Sequence, residues 1–159
     1  SNGYSLLRKV FADDLKVWAD ELLKPTYLYV KLVQDLRKKI AGLKACANIT
    51  GGGIENIPRV LPAGLVARLE PWRVPEPFLE VQRRSQMSWP KMLETLNCGL
   101  GFVVVVHPDE ADRALKLIQK KFSKAWRLGV VEKAKTKKAP SSVHMDYKKM
   151  EGLNHGSTS

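Results

Sequence analysis

The stretch that decides how this chain folds is Asn48-Ile49-Thr50-Gly51-Gly52-Gly53-Ile54-Glu55-Asn56-Ile57-Pro58-Arg59-Val60-Leu61-Pro62. It leaves an apolar segment, Leu43 to Thr50, that reads as a strand, and runs through three glycines into a short helix, Glu55 to Leu61, interrupted by Pro58. Residues without a Cβ let the backbone approach a ligand closely and aim several N–H groups at it, which suits a phosphate or another oxyanion. The same run also serves as a plain tight turn. Thr50 can add a hydroxyl and Arg59 a charge. The spacing matches neither the P-loop nor the dinucleotide fingerprint.

Working outward, Leu6, Leu7, Val10 and Phe11 recur at helical spacing and predict a helix starting near Tyr4. Pro25 opens a second helical region whose apolar stripe, Tyr29, Val30, Leu32, Val33, Leu36 and Ile40, ends at Gly42. Leu65 to Leu69 alternates as a strand after Pro62 and Gly64, and two helical stretches follow, Pro77 to Arg84 and Trp89 to Leu96. The uninterrupted apolar run Phe102 to Val106 reads as a strand covered on both faces. Ala111, Ala114, Leu115, Ile118 and Phe122 mark the next helix, with Asp109 and Glu110 at the positive end of its dipole. A last strand is expected over about Ala125 to Val131. Strands alternating with helices predict an α/β layered domain with a mixed sheet of four or more strands packed by helices.

At 159 residues the chain can bury a sizeable core without disulfide or metal. Cys46 and Cys98 stand far apart in apolar segments, as buried reduced thiols of an intracellular compartment do. The apolar run at Phe102 is far too short to span a bilayer, which needs about 20 residues. From Lys133 onward six lysines face only Asp146 and Glu151, and apolar periodicity is lost, so residues 1–132 are expected to form the domain and 133–159 a basic, flexible tail. The net charge of +11 attracts phosphorylated ligands, but no aromatic–basic interleaving accompanies it and nucleic acid is not expected as a partner. His107, His144 and His155 fall apart from one another, no metal site is expected, and no nucleophile–base spacing surrounds Ser5, Cys46 or Cys98. The four tryptophans are dispersed, as core packing requires.

Four further blocks accompany the glycine-rich segment: Ser1-Asn2-Gly3-Tyr4-Ser5-Leu6-Leu7-Arg8-Lys9, Pro25-Thr26 with Tyr29-Val30-Lys31, Thr95-Leu96-Asn97-Cys98-Gly99-Leu100-Gly101, and Ala125-Trp126 with Leu128-Gly129. In order and spacing the five resemble the C-terminal half of the aminoimidazole ribonucleotide (AIR) synthetase family, the phosphoribosylformylglycinamidine cyclo-ligases. The resemblance covers about residues 1–132. It implies a cytoplasmic enzyme of purine synthesis that activates a formyl oxygen by phosphoryl transfer and closes the imidazole ring by attack of a neighbouring nitrogen. It implies that ATP and Mg²⁺ are bound mainly by an N-terminal domain absent from this sequence, that this domain is the chain's natural partner, and that the intact enzyme is a homodimer acting on a small ribonucleotide. A fragment without that domain is expected to be inactive alone and to bind no cofactor.

The resemblance assigns substrate or phosphate binding to Asn2, Ser5, Thr50, Gly51, Gly52, Gly53, Asn56 and Arg59. Asn48, Asn97, Gly99 and Gly101 fall at or behind the cleft, and no catalytic residue is assigned. Arg59 has a second reading as a structural ion-pair residue. The chain departs from the family in two places. Asn48 stands where His is common, and Asn cannot titrate near neutral pH; one residue, Ile54, separates Gly53 from Glu55 where two are common. These departures leave open a noncatalytic interaction module derived from the domain.

Overall fold

A computed structural model describes residues 3–155. The chain opens with helices α1 (Tyr4–Val10), α2 (Leu15–Leu22) and α3 (Val30–Lys39), followed by strand β1 (Leu43–Asn48). Two 3₁₀ turns, Gly53–Asn56 and Pro58–Val60, lead to β2 (Leu65–Leu69), α4 (Glu76–Ser85), α5 (Trp89–Thr95) and β3 (Phe102–Val106). A third 3₁₀ turn (Pro108–Glu110), α6 (Ala111–Gln119), β4 (Gly129–Lys133), β5 (Ser142–Met145) and α7 (Tyr147–His155) complete it.

The α/β class is as expected, but the single mixed sheet is not found. The strands form two sheets: β1 and β3 pair antiparallel with Asn48 opposite Phe102, while β2 lies between an antiparallel β4 and a parallel β5. The reason lies in the segment before β4. Ala125 to Leu128 runs without strand structure, so the last strand begins only at Gly129 and its paired edge belongs to β2. A cavity of about 300 Å³, lined by β3, α6 and residues 125–131, separates the two sheets. Every residue of β3 is accordingly only half-buried, where full cover on both faces was expected.

The larger core gathers Phe11, Ile49, Ile54, Ile57, Val81, Met92, Leu93, Leu96 and Met150, all nearly inaccessible; a smaller one joins Leu32, Leu36 and Ile40 to Ala114 of α6. Arg84 of α4 holds the α1–α2 turn by donating to both Asp14 carboxylate oxygens at 2.7 and 2.6 Å, while its guanidinium lies over the Phe11 ring at 4.9 Å. That hydrogen bonding keeps the Asp14 carboxyl below its ordinary range. Helix α2 was not foreseen: Leu15, Trp18 and Leu22 recur at helical spacing, but none of its residues is fully buried, and Trp18 and Leu22 pack only partly against the larger core.

The expected flexible tail is the second correction. Ala134 donates to Gly64 O and Gly64 to Ala139 O, each at 2.8 Å, which carries the chain back to β2, where Val143 lies opposite Ala67. Met150 of α7 is fully buried, and Asn154 knits α7 to the body: its amide donates to Trp72 O at 3.1 Å and its oxygen accepts from Val74 N–H at 2.9 Å. A basic segment with few apolar residues orders here because one methionine and one asparagine are well placed, a signal too sparse for periodicity to reveal. Met150→Ala should therefore lower unfolding free energy by about 2–5 kcal/mol, read by urea denaturation. A change within error would return the segment to the status of a tail.

Candidate functional site

The antiparallel pairing of β1 with β3 brings the end of one strand beside the start of the other, so the glycine-rich turn and the loop 97–101 emerge together. Their junction is fixed by the Ile49 N–H, which donates to Gly101 O at 3.0 Å. Ile49, Ile54 and Ile57 plunge into the core, each 1% exposed, and leave Gly51 and Glu55 between them, and Arg59 just after, on the surface. The turn is thus pinned by alternate isoleucines while its polar edge faces solvent.

Within the turn the three glycines differ. Gly53 has φ +52°, and a Cβ on it would lie 1.8 Å from Leu93 O and 3.0 Å from Leu96 O, so only glycine lets the turn sit on the C-terminal end of α5. Its N–H is consumed within the turn, donating to Thr50 O at 2.8 Å. A Cβ on Gly52 would meet Asn56 Nδ2 at 2.5 Å and Arg59 Nη2 at 3.0 Å, which places both side-chain ends over this residue. Gly51 is exposed, has an ordinary φ, and a Cβ on it would touch nothing within 4 Å. Among the described residues, the N–H groups of Gly51 and Gly52 meet no protein acceptor.

Asn56 turns inward. It is 6% exposed and its side-chain oxygen accepts from the Thr50 N–H at 2.7 Å and the Thr50 hydroxyl at 3.3 Å, closing the loop. Arg59 is exposed and, among the described residues, pairs with no carboxylate, so the geometry does not give it the ion-pair role. Two unsatisfied amides and one guanidinium that meets no carboxylate among the described residues give the turn a row of donors, beside the exposed Glu55, that can take an oxyanion.

The other expected residues group around this turn. Asn97 accepts the Gly99 N–H at 3.2 Å through its side chain and the Leu100 N–H at 2.8 Å through its carbonyl, which shapes the loop 97–101. Cys98 adopts φ +46° there, its carbonyl accepting from Trp72 Nε1 at 2.9 Å. Burial pushes the Cys98 thiol up to about 12 and the Cys46 thiol above its ordinary range, so neither is an activated nucleophile. The N-terminal block arrives on the same helix end: a Cβ on Gly3 would lie 2.2 Å from Leu96 Cδ2, with Ser5 exposed on α1 just beyond. Asn48 is exposed at the end of β1, while the assignment to Asn2 lies outside the described residues.

Three sequence blocks therefore converge on Leu93–Leu96. The sequence reading missed that α5 is their common seat, and it took Tyr29 for part of an apolar stripe although its hydroxyl lies against Gly101. Among the described residues no group of three His, Cys, Asp or Glu side chains converges as a metal site. No helix among them is long and apolar enough to cross a membrane.

A sequence-family profile described as "AIR synthase related protein, C-terminal domain" matches residues 1–140. A protein of Nitratidesulfovibrio vulgaris named phosphoribosylformylglycinamidine cyclo-ligase is 38% identical over 153 residues, which cover 87% of this chain and 43% of the relative. Proteins of the same name from Nitrosospira multiformis and Desulfitobacterium hafniense are each 41% identical, over 82% of this chain and 40% and 42% of their own lengths. The chain thus spans less than half the length of these relatives.

The glycines should separate in stability measurements. Gly53→Ala is expected to destabilise by at least about 2 kcal/mol, through left-handed strain and overlap with Leu93 O, whereas Gly51→Ala should leave thermal unfolding unchanged. Equal effects would mean that the turn does not rest on α5 in this way. At pH 8 Cys98 should resist iodoacetamide in the folded chain and react once unfolded in urea; rapid labelling of the native protein would show that the loop 97–101 opens.

Proposed function

The chain belongs to the AIR synthase related family, as its C-terminal domain, and from that premise we propose that it is the substrate-side half of a phosphoribosylformylglycinamidine cyclo-ligase. One observation carries the assignment of the site. Gly51 is a glycine that the fold does not need, since its φ is ordinary and a methyl group there would touch nothing. Among the described residues nothing fills the space beside these two free amides and the unpaired Arg59, which supports a ligand there. The substrate phosphate is the group whose charge and size match it.

In this reading the Gly51 and Gly52 amides hold phosphate oxygens and Arg59 supplies the opposing charge. Asn56 and Thr50 fix the turn, and Gly53 fixes its seat on α5. Asn97, Gly99 and Gly101 shape the wall behind the turn, Ser5 borders the cleft from α1, and Asn2 is a further candidate contact. These residues bind and orient; the phosphoryl transfer that activates the formyl oxygen uses ATP and Mg²⁺ held mainly by the other half of the enzyme, which is also this domain's partner and the seat of its homodimer contact. Positioning is the larger part of catalysis in such a step, because an oriented pair of reacting groups avoids the entropy of encounter.

Asn48 favours a second reading, a noncatalytic domain that keeps the ligand site. It predicts ligand binding that no complementing N-terminal half converts into ring closure.

Calorimetric titration with formylglycinamidine ribonucleotide tests the site. Saturable binding is expected, weakened roughly tenfold or more by Gly51→Ala and by Arg59→Ala, with unchanged thermal unfolding in the glycine variant. Absence of binding by the unaltered chain, or a Gly51→Ala variant that binds as tightly, would overturn the assignment.

A further inference from the structure

Tyr29 caps the start of α3, outside the glycine-rich turn, and its hydroxyl reaches the loop 97–101 to which that turn is hydrogen-bonded. Its ring is stacked on Phe102 with centroids 4.6 Å apart and planes at 21°, and Phe122 lies against it at 5.6 Å. Phe122 is in turn met edge-on by Tyr27 at 5.4 Å. Clamped in this way the ring has little rotational freedom, and its hydroxyl falls 2.3 Å from where a Cβ on Gly101 would stand. Gly101 is the residue whose carbonyl accepts the Ile49 N–H, and Ile49 precedes Gly51 by two positions, a span of at most about 7 Å of chain.

The half-buried hydroxyl has no hydrogen-bond partner among the described residues. Burial, with the neighbouring Tyr27, raises it above the ordinary tyrosine range, so it remains a protonated donor through neutral and mildly alkaline pH. Structural stacking needs only the ring; Phe would serve α3 and β3 equally well. A hydroxyl held rigidly against a glycine that makes room for it, and used by nothing in the described chain, has its partner elsewhere. Its aromatic surroundings suit a neutral oxygen better than a hydrated dianion.

We propose that the Tyr29 hydroxyl is a ligand-binding group of this site, donating a hydrogen bond to a neutral oxygen in the sugar–amide part of the ribonucleotide while the turn and Arg59 hold its phosphate. The inference rests on the phosphate-site reading above but concerns a different part of the ligand. It makes the Pro25–Lys31 block a wall of the cleft, and it gives the domain a means of telling the ribonucleotide from a bare phosphate.

Two ligands separate the two claims. Calorimetric titration of the unaltered chain, Tyr29→Phe and Arg59→Ala would use formylglycinamidine ribonucleotide and, separately, inorganic phosphate, with thermal unfolding recorded for each. Tyr29→Phe keeps the stacked ring and should unfold as the unaltered chain does. It should bind the ribonucleotide roughly tenfold more weakly and phosphate unchanged, whereas Arg59→Ala weakens both. Ribonucleotide affinity unaltered in Tyr29→Phe would overturn the role of the hydroxyl and leave the phosphate site standing, and equal losses for both ligands would show that Tyr29 acts only through the shape of the turn, which also overturns it. A chain that binds neither ligand would sink the phosphate site itself.

Discussion

The approach of the Gly53 backbone to the last turn of α5 is the constraint on which the rest of the site depends. A side chain of any size there would drive into Leu93 O, so the glycine-rich turn can rest on the helix only while this residue is glycine. Once seated, the turn fixes the direction in which β1 leaves it, and the β1–β3 pairing then fixes the start of β3 and the loop before it. Gly3 packs on Leu96, which brings α1 to the same helix end. Helix α5 is able to play anvil because Met92, Leu93 and Leu96 are completely inaccessible, so its carbonyl end cannot yield.

Much of the fold was legible because its longer elements carry strong periodicity. The short helix broken at Pro58 and the run Phe102 to Val106 became elements close to the expected bounds, and the stripe from Tyr29 to Ile40 became α3, which starts at Val30 and not at Pro25 as expected. What failed were inferences about neighbours. A strand of five apolar residues looks the same whether a second strand or a helix and a loop cover its other edge, and β3 has only β1 as a strand neighbour. Composition misled at the C-terminal end for a related reason. Lysines dominate residues 133–149, but order there comes from a parallel pairing with β2 and from Met150 and Asn154, contacts that no local window contains.

The tail also bears on the site. Ser141 donates its hydroxyl to Pro58 O at 2.8 Å, and β5 runs beside the turn that follows Gly53. Tyr147 of α7 lies close enough to Glu55 and Glu94 for both carboxylates, after burial, to raise its hydroxyl above the ordinary range. The segment that seemed detachable thus braces the back of the glycine-rich block, and its basic character is that of the solvated side of a packed element.

The glycine-rich block that makes up the candidate site was legible as a block, but the different positions of its residues were not, and physical chemistry explains the difference. Sequence presents three identical glycines, and a motif invites one explanation for all of them. In three dimensions the first keeps open space, the second lies under Asn56 and Arg59, and the third accommodates a helix end. Among the described residues the first has no folding reason, so the first is the most informative about a ligand. The same logic separates Asn56 from Arg59. Both looked like ligand contacts, yet the Asn56 side-chain oxygen is committed to closing its own loop through Thr50, whereas an exposed guanidinium that meets no carboxylate among the described residues keeps its charge available. Function is read most securely where the fold leaves something unexplained, and around this candidate site, among the described residues, such places include the backbone at Gly51, the charge of Arg59 and the hydroxyl of Tyr29.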